Sequence, residues 1–183
     1  MKNQSKIFIT SDTHFNHKTM IDEQWRKFKS VNEMNEFIID RWNKTVSKED
    51  IVYHLGDVVM NNKQDFDKNI LPRLNGKIIF IRGNHCNQLM SMIDNCIISF
   101  KGKQLELVHN PFDATETIRM ILHGHIHKSG KHNELRTTIQ EKPYLHIKGD
   151  FVFYNCNLEY HKYKPKLLNE ILGEINQIMN KYT

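Results

Sequence analysis

Metal-ligand residue types recur in this chain directly after short apolar runs. The pattern occurs in five places: SDTH at 11–14, GD at 56–57, GNH at 83–85, VHN at 108–110 and HGHIH at 123–127. Carboxylates, imidazoles and an amide oxygen, without thiolates, suit borderline divalent metals such as Mn²⁺, Fe²⁺, Ni²⁺ or Zn²⁺. The five motifs therefore predict a metal centre built from side chains that are distant in the sequence.

The joint placement of these residues argues against coincidence. Taken singly, an aspartate or asparagine after a strand is usually a turn or cap residue. However, five of the eleven histidines directly follow predicted strands: His14, His85, His109, His125 and His127. The donors also exceed what one ion needs. Two ions about 3.5–4 Å apart that share one carboxylate would use them all and would clamp a phosphoryl group for in-line displacement.

Strands and helices alternate in the first half of the chain, which must position these motifs. Continuous apolar runs predict strands at 6–11 (KIFITS), 50–55 (DIVYHL) and 77–81 (KIIFI). Helical patterns separate the three runs. This order is typical of a layered α/β fold with parallel strands, in which ligands bind beyond the carboxyl ends of the strands.

Two helices are predicted between these strands. Ser30, with Glu33 three positions later, forms a capping-box pattern. The apolar residues that follow at helical spacing give the first helix one buried face: Val31, Met34, Ile38, Trp42 and Val46. The second helix is predicted around 66–74 and should end at an Asn75-Gly76 turn.

From residue 96 onward the pattern changes to short strands separated by tight turns. The runs are CIISF at 96–100, GKQLELVH at 102–109, RMILHGH at 119–125, YLHIKG at 144–149 and FVFYNC at 151–156. They predict a second, more antiparallel sheet. The chain then closes with an amphipathic helix that should begin at Pro165.

Composition limits both the size of the protein and its partners. A chain of 183 residues that is 39% hydrophobic can form one domain with a substantial core, so we interpret residues 1–183 as a single domain. The net charge of +5 is dispersed, which argues against a nucleic-acid tail or a membrane patch but not against an anionic substrate. No apolar run is long enough for a signal peptide or a membrane span, so we expect a cytoplasmic location. Three cysteines without CxxC spacing are interpreted as reduced thiols.

The motif series resembles that of the calcineurin-like metallophosphoesterases and spans about two thirds of the chain. In order, its members are Asp12-x-His14, Gly56-Asp57, Gly83-Asn84-His85, His109 and Gly124-His125-x-His127. The resemblance implies an α/β fold, namely a four-layer αββα sandwich with two central mixed β-sheets flanked by helices. It also implies a site for two divalent metal ions at the strand ends of both sheets.

The resemblance further implies a role for each donor. The expected metal ligands are Asp12, His14 and His127 on one ion, Asn84, His109 and His125 on the other, and Asp57 bridging the pair. His85 would be the catalytic residue that faces the substrate. It would protonate the leaving oxygen or stabilise phosphoryl charge, a role worth on the order of 10² to 10⁴ in rate for a placed acid.

The chain departs from the family pattern in two places. Cys86 follows the GNH histidine, where many members carry an acidic residue that orients the imidazole. The segment after His109 reads Asn-Pro-Phe instead of the glycine found in many members, which bears on substrate choice. Two further residues are candidates for substrate binding: His17, in the HFNH sequence, and Arg82, for which a structural ion pair is the alternative.

The expected activity is hydrolysis of phosphoesters by in-line attack of a metal-bridging hydroxide, with Mn²⁺ as the first choice of metal and Fe, Ni or Zn as the alternatives. A compact domain without a cap insertion favours a phosphodiesterase acting on nucleotides, cyclic nucleotides or nucleic-acid ends. The alternatives are a phosphomonoesterase or phosphoprotein phosphatase, and a non-catalytic scaffold that retains the fold. The expected partner is a small phosphoester or nucleotide, with nucleic acid as a substrate only and no membrane.

Overall fold

Two mixed β-sheets carry the apolar runs, and the computed structural model describes them within residues 4–85, 92–115, 117–128 and 139–181. The first sheet has the strand order β11-β1-β2-β3-β4. Its strands are β1 (Ile7–Thr10), β2 (Ile51–His54), β3 (Lys77–Ile81), β4 (Met92–Ile93) and β11 (Lys166–Leu167). β1 to β4 run parallel, and β11 is antiparallel to β1. The carboxyl ends of β1, β2 and β3 therefore lie at one edge of the sheet.

The second sheet has the strand order β5-β6-β7-β10-β9-β8. Its strands are β5 (Cys96–Phe100), β6 (Lys103–Leu107), β7 (Met120–His123), β8 (Ile139–Lys142), β9 (Leu145–Lys148) and β10 (Phe151–Asn155). The β6–β7 and β7–β10 pairs are parallel, and the others are antiparallel. β6, β7 and β10 thus also end at a common edge, which is where the VHN and HGHIH motifs begin.

The helices flank these sheets. They are α1 (Thr19–Asp22), α2 (Val31–Asn43), α3 (Lys63–Asp65) and α4 (Leu168–Met179), and α3 continues through a π-helical turn at Phe66–Ile70 and a 3₁₀ turn at Leu71–Arg73. The expected α/β fold with two central mixed sheets flanked by helices is confirmed. Among the described helices, none has the length and apolar content that crossing a bilayer requires.

Alternation along the strands divides the core into two apolar clusters. Phe8 and Val52 face one way, toward Ile38 and Trp42 of α2. Ile9, the next residue of β1, faces the other way and joins a cluster formed by the inner strands of both sheets and by α4. This is the period-two pattern expected for a strand that is buried on both faces.

The helix boundaries differ in three details from those predicted. The Ser30 hydroxyl caps α2 by accepting from the Glu33 amide at 3.1 Å, but the Glu33 carboxylate accepts from the Lys29 amide instead of completing the capping box. The second helix begins at Lys63, earlier than predicted, and tightens at Pro72, which has no amide hydrogen to continue it. The last helix begins at Leu168, because Lys166–Leu167 pairs with the open edge of β1.

The packing of α4 gives a direct test of this core. Ile171 is fully buried in the cluster that α4 forms with strands of both sheets, and Ile97 of β5 is 52% exposed. We expect Ile171→Ala to lower the free energy of unfolding by about 2–5 kcal/mol, because it leaves a cavity. The matched change Ile97→Ala should stay within about 0.5 kcal/mol. Urea denaturation of both variants measures the difference, and equal losses would contradict the placement of α4.

Candidate metal centre

Within each sheet, the strand-end loops are joined to one another by backbone hydrogen bonds. The amides of Asp12 and His14 donate to the carbonyls of Gly56 and Asp57, each at 3.0 Å. In the second sheet, the Gly124 amide donates to the His109 carbonyl at 2.9 Å. The loops that carry the predicted donors are therefore fixed relative to the strands that precede them.

Two buried carboxylates connect these loops further. The Asp57 Oδ1 atom accepts from the backbone amide of His85 at 3.0 Å. The Asp12 carboxylate, from the first sheet, accepts from the backbone amide of His125, from the second sheet, at 3.1 Å. Asp12 is 0% exposed and Asp57 is 2% exposed, so both depend on such donors for their solvation. The site is thus shared between the two sheets.

Two groups of side chains could each hold a metal ion. One is formed by Asp12, His14 and His127, and the other by Asp12, Asp57 and His109, with the ligand atoms of each group lying within 4.8 Å of one another. The Asp57 Oδ2 atom lies 3.8 Å from His14 Nε2 and 3.4 Å from His109 Nε2, so it borders both groups. Carboxylate and imidazole donors in this number fit borderline divalent ions.

Asn84 and His125 extend the second group. The Asn84 Oδ1 atom lies 2.8 Å from His109 Nε2 and 3.2 Å from His125 Nδ1. An amide oxygen and two imidazole nitrogens therefore meet at one point on the side of the site that is open to solvent. This arrangement gives the second group five donors in all when both carboxylates are counted.

Three of the imidazoles are oriented by partners on their far side. His109 Nδ1 donates to the Leu55 carbonyl at 2.7 Å, and His127 Nδ1 donates to Glu159 Oε1 at 2.9 Å. The Nδ1 atoms of His14 and His17 lie 3.2 Å apart. In each case the Nε2 atom is left facing the carboxylates, which is how metal-binding histidines are commonly held.

The backbone at the site is strained. Asp12, His14, Asp57 and His125 have φ values of 56°, 49°, 55° and 68°, in the left-handed region that residues with a Cβ rarely adopt. Such conformations persist only where the surrounding structure enforces them, and they concentrate at functional sites. Four of them within one cluster of potential ligands support a functional role for the cluster.

The glycines of the motifs are required by close approach. A Cβ at Gly83 would lie 2.1 Å from Asp57 Oδ1, and one at Gly56, whose φ is +90°, would lie 2.5 Å from His109 Nδ1. Any side chain at either position would displace a candidate ligand. The GD and GNH motifs therefore need their glycines so that the donor side chains can approach one another closely.

The sequence matches known proteins over most of its length. Residues 6–149 match the family described as calcineurin-like phosphoesterase superfamily domain. The chain belongs to the calcineurin-like phosphoesterase superfamily. An uncharacterized protein of Methanocaldococcus jannaschii is 37% identical over 176 residues, which cover 94% of this chain and 92% of the relative. A crystal structure of a protein of unknown function from Aquifex aeolicus is similar with a TM-score of 0.71 and 25% identity, over 92% of this chain and 98% of that one.

Members of this superfamily bind divalent metals, and the Asp/His clusters of this calcineurin-like domain could hold them. All seven predicted ligands lie together at the strand ends: Asp12, His14, Asp57, Asn84, His109, His125 and His127. Their division between two ions, and the bridging role of Asp57, stay predictions. The structure adds that Asp12 borders both groups, as Asp57 does.

The other predicted site residues lie around this cluster. His85 is exposed at the rim, with its ring centroid 6.2 Å from that of His14. Arg82 lines a cleft of about 280 Å³ together with Asn84 and His109, and its Nε donates to Asp94 at 2.6 Å in an exposed ion pair. His17 is buried against His14. The substrate roles of His17 and Arg82 stay predictions.

The two departures from the family pattern have different outcomes. Cys86 lies outside the described residues. The Asn-Pro-Phe segment forms a 3₁₀ turn at Pro111–Asp113, which is capped by the Asn110 side chain accepting from the Phe112 amide at 3.1 Å. Asn110 and Asp113 both line the cleft. The segment that replaces the usual glycine therefore borders the space beside the second donor group.

Glu159 and Arg26 are the functional residues that the sequence did not reveal. Glu159 Oε1 accepts from His127 and also from Arg26 Nε at 2.9 Å, and the Arg26 guanidinium donates to the carbonyls of Asp12 and Thr13. Burial acts to raise the pKa of Glu159, but the hydrogen bond from His127 and the charge of Arg26 lower it to about 2. Glu159 follows β10, whose parallel neighbour β7 leads into the HGHIH motif, and this strand-end position is the signal that could have identified it.

Charges inside the centre shift the pKa values of its histidines in opposite directions. Burial acts to lower the pKa of His109, but the hydrogen bond to Asp57 and the charge of Asp12 raise it to about 9. By contrast, burial holds the pKa of His14 well below its ordinary value, with the charge of Arg26 acting in the same direction. In the metal-free protein, His109 is therefore protonated on both ring nitrogens and carries a positive charge at neutral pH.

Metal affinity should consequently rise with pH. Because the pKa of His109 is about 9 without metal, a metal must displace a proton from this ring at neutral pH. Between about pH 6 and pH 8 we expect the apparent Mn²⁺ affinity to rise about tenfold per pH unit for each proton released, and this rise to end near pH 9. Calorimetric titration in two buffers of different ionisation enthalpy counts the protons. A pH-independent affinity without proton release would contradict the raised pKa of His109.

Replacing the carboxylate between the two groups should weaken both metals together. In Asp57→Asn the atom that lies near both His14 and His109 loses its charge, so we expect the metal content measured by mass spectrometry to fall at both positions. His14→Ala and His109→Ala are the matched controls, since each removes a donor from one group and should mainly cost one ion. An Asp57→Asn protein that kept two tightly bound ions would rule out the bridge.

Proposed function

We propose that this protein is a dimetal-dependent phosphodiesterase that acts on nucleotides, cyclic nucleotides or nucleic-acid ends. The observation that carries the proposal is the position of Asp57 Oδ2, within 4 Å of an imidazole nitrogen from each of two metal-ligand groups. A pair of divalent ions, with Mn²⁺ as the first choice, would neutralise phosphoryl oxygens and lower the pKa of an attacking water. The superfamily of the chain supports the same reaction class.

The candidate site has a buried side and an exposed side. Asp12, His14, Asp57 and His109 are at most 3% exposed, so their positions are set by the core. Asn84 and His85 are exposed and face the solvent from which a substrate arrives. A phosphoryl group can therefore reach the donors from this exposed side, and the buried ligands need not move when it binds.

The space around the exposed side favours a substrate larger than inorganic phosphate. The cleft of about 280 Å³ next to Asn84 and His109 is bordered by loops from both sheets. A site of this kind can take a phosphorus atom that carries two organic groups. This supports a diester, whose second ester group has to lie outside the metal cluster.

In this proposal, His85 acts on the leaving group. Its backbone amide is fixed to the Asp57 carboxylate at 3.0 Å, while its ring is exposed above the cluster, 6.2 Å from the His14 ring. A proton donated from this ring to the departing oxygen would be needed most by an alkoxide, which is a poor leaving group. The nucleoside alkoxides of natural phosphodiesters belong to this class.

The role of His85 can be tested by comparing leaving groups. His85→Ala should reduce kcat on a dinucleotide, whose leaving group is an alkoxide, by about 10²–10⁴. On bis(p-nitrophenyl) phosphate, whose leaving group needs no proton, the loss should be less than about tenfold. Steady-state kinetics with both substrates at saturating Mn²⁺ provides the comparison. Equal losses on the two substrates would reject His85 as a general acid.

A substrate screen tests the proposed activity as a whole. The purified protein, supplied with Mn²⁺, is assayed on phosphomonoesters, linear diesters, 2′,3′- and 3′,5′-cyclic nucleotides and short oligonucleotides, with and without a chelator. Chelator-sensitive turnover of diesters above monoesters would support the proposal. Faster turnover of monoesters would identify a phosphomonoesterase instead, and bound metal without any turnover would favour a non-catalytic scaffold.

A further inference from the structure

An exposed tryptophan lies directly beside the first metal-ligand group. The Trp25 side chain is 41% exposed, and its ring centroid is 5.8 Å from that of His127, with the planes inclined at 48°. His127 is one of the donors of the first metal-ligand group. Covering the exposed part of this ring with a ligand would be favourable, because it removes apolar surface from water.

The backbone that carries this ring is anchored by the residue that follows it. Arg26 is 1% exposed, and its guanidinium donates to Glu159 and to the carbonyls of Asp12 and Thr13. The Arg26 amide also donates to the Met20 carbonyl at 2.8 Å. The backbone next to Trp25 is therefore anchored to the same residues that hold the metal ligands, and the ring extends from this fixed segment.

We propose that Trp25 is the platform on which the base of a nucleotide substrate stacks while its phosphate lies at the metal cluster. This inference rests on the proposed phosphodiesterase function and narrows its substrate class to nucleotides. The planar indole presents a face to a planar base, and stacking of a base on an aromatic side chain does not depend on the identity of the base. Lys128, which directly follows His127 in the chain, is exposed and adds a positive charge that suits an anionic ligand.

Another exposed aromatic residue serves as a comparison. Phe37, on α2, is 40% exposed, almost the same as Trp25. Its ring lies 5.4 Å from that of Phe28 and 5.8 Å from that of Tyr163, so it belongs to an aromatic cluster of its own. Phe37 therefore provides a control of equal exposure whose role is packing.

The kinetic test uses two substrates with the same leaving group. Thymidine 5′-(p-nitrophenyl phosphate) carries a base, and ethyl p-nitrophenyl phosphate does not, so the ratio of their kcat/KM values reports recognition of the nucleoside. We expect Trp25→Ala to lower this ratio about tenfold and Trp25→Phe to restore most of it. Phe37→Ala should leave the ratio unchanged. An unchanged ratio in Trp25→Ala, or an equal fall in Phe37→Ala, would overturn the proposal.

A binding test separates this inference from the proposed activity. The chain has two tryptophans, and the other, Trp42, is 1% exposed, so ligand-dependent fluorescence changes report Trp25. AMP should quench the fluorescence, ribose 5-phosphate should not, and the quenching should disappear in Trp25→Phe. If the wild-type protein hydrolyses neither diester, the proposed activity fails, and the quenching decides the inference independently. Equal responses to AMP and ribose 5-phosphate would show that no base stacks there.

Discussion

The structure depends on two carboxylates that are buried where the two sheets meet. Burying Asp12 and Asp57 is unfavourable unless hydrogen bonds and opposite charges replace the lost water. Here the backbone amides of His125 and His85 and the nearby His109 provide that replacement. The same contacts fix the two loops that carry the remaining donors. The requirement to solvate two carboxylates thus determines how the strand ends of one sheet are positioned against those of the other.

The orientation of the imidazoles is a second consequence of this arrangement. Two of the rings whose Nε2 atoms face the carboxylates donate from Nδ1 on their far side, His109 to the Leu55 carbonyl and His127 to Glu159. Glu159 is in turn held by Arg26, which also contacts the backbone of Asp12. A chain of buried hydrogen bonds therefore connects a donor of the second sheet to a donor loop of the first. Such partners fix both the tautomer and the direction of a metal-binding histidine.

The sequence predicts what is local and misses what only tertiary contact decides. The seven donors could be predicted because each lies at or just beyond the end of a strand, and the alternating strands and helices could be predicted from apolar spacing. The contact between Glu159 and Arg26 could not, because the two residues are 133 positions apart and meet only in the fold. The short strand at Lys166–Leu167 was likewise hidden within a helical pattern. It forms because β1 has an open edge, a property of the sheet and not of those two residues.

The distribution of burial explains why the reaction class is easier to infer than the substrate. The ligands that would define the chemistry are enclosed by the core, where any change displaces a neighbour, as the close contacts of Gly83 show. Outside this enclosed group, Trp25 next to His127 and Phe112 three positions after His109 are exposed. Substitutions there cost little stability. A family resemblance carried by the enclosed residues therefore extends to the cluster of potential metal ligands, and the choice of substrate has to be sought in the exposed loops of each member.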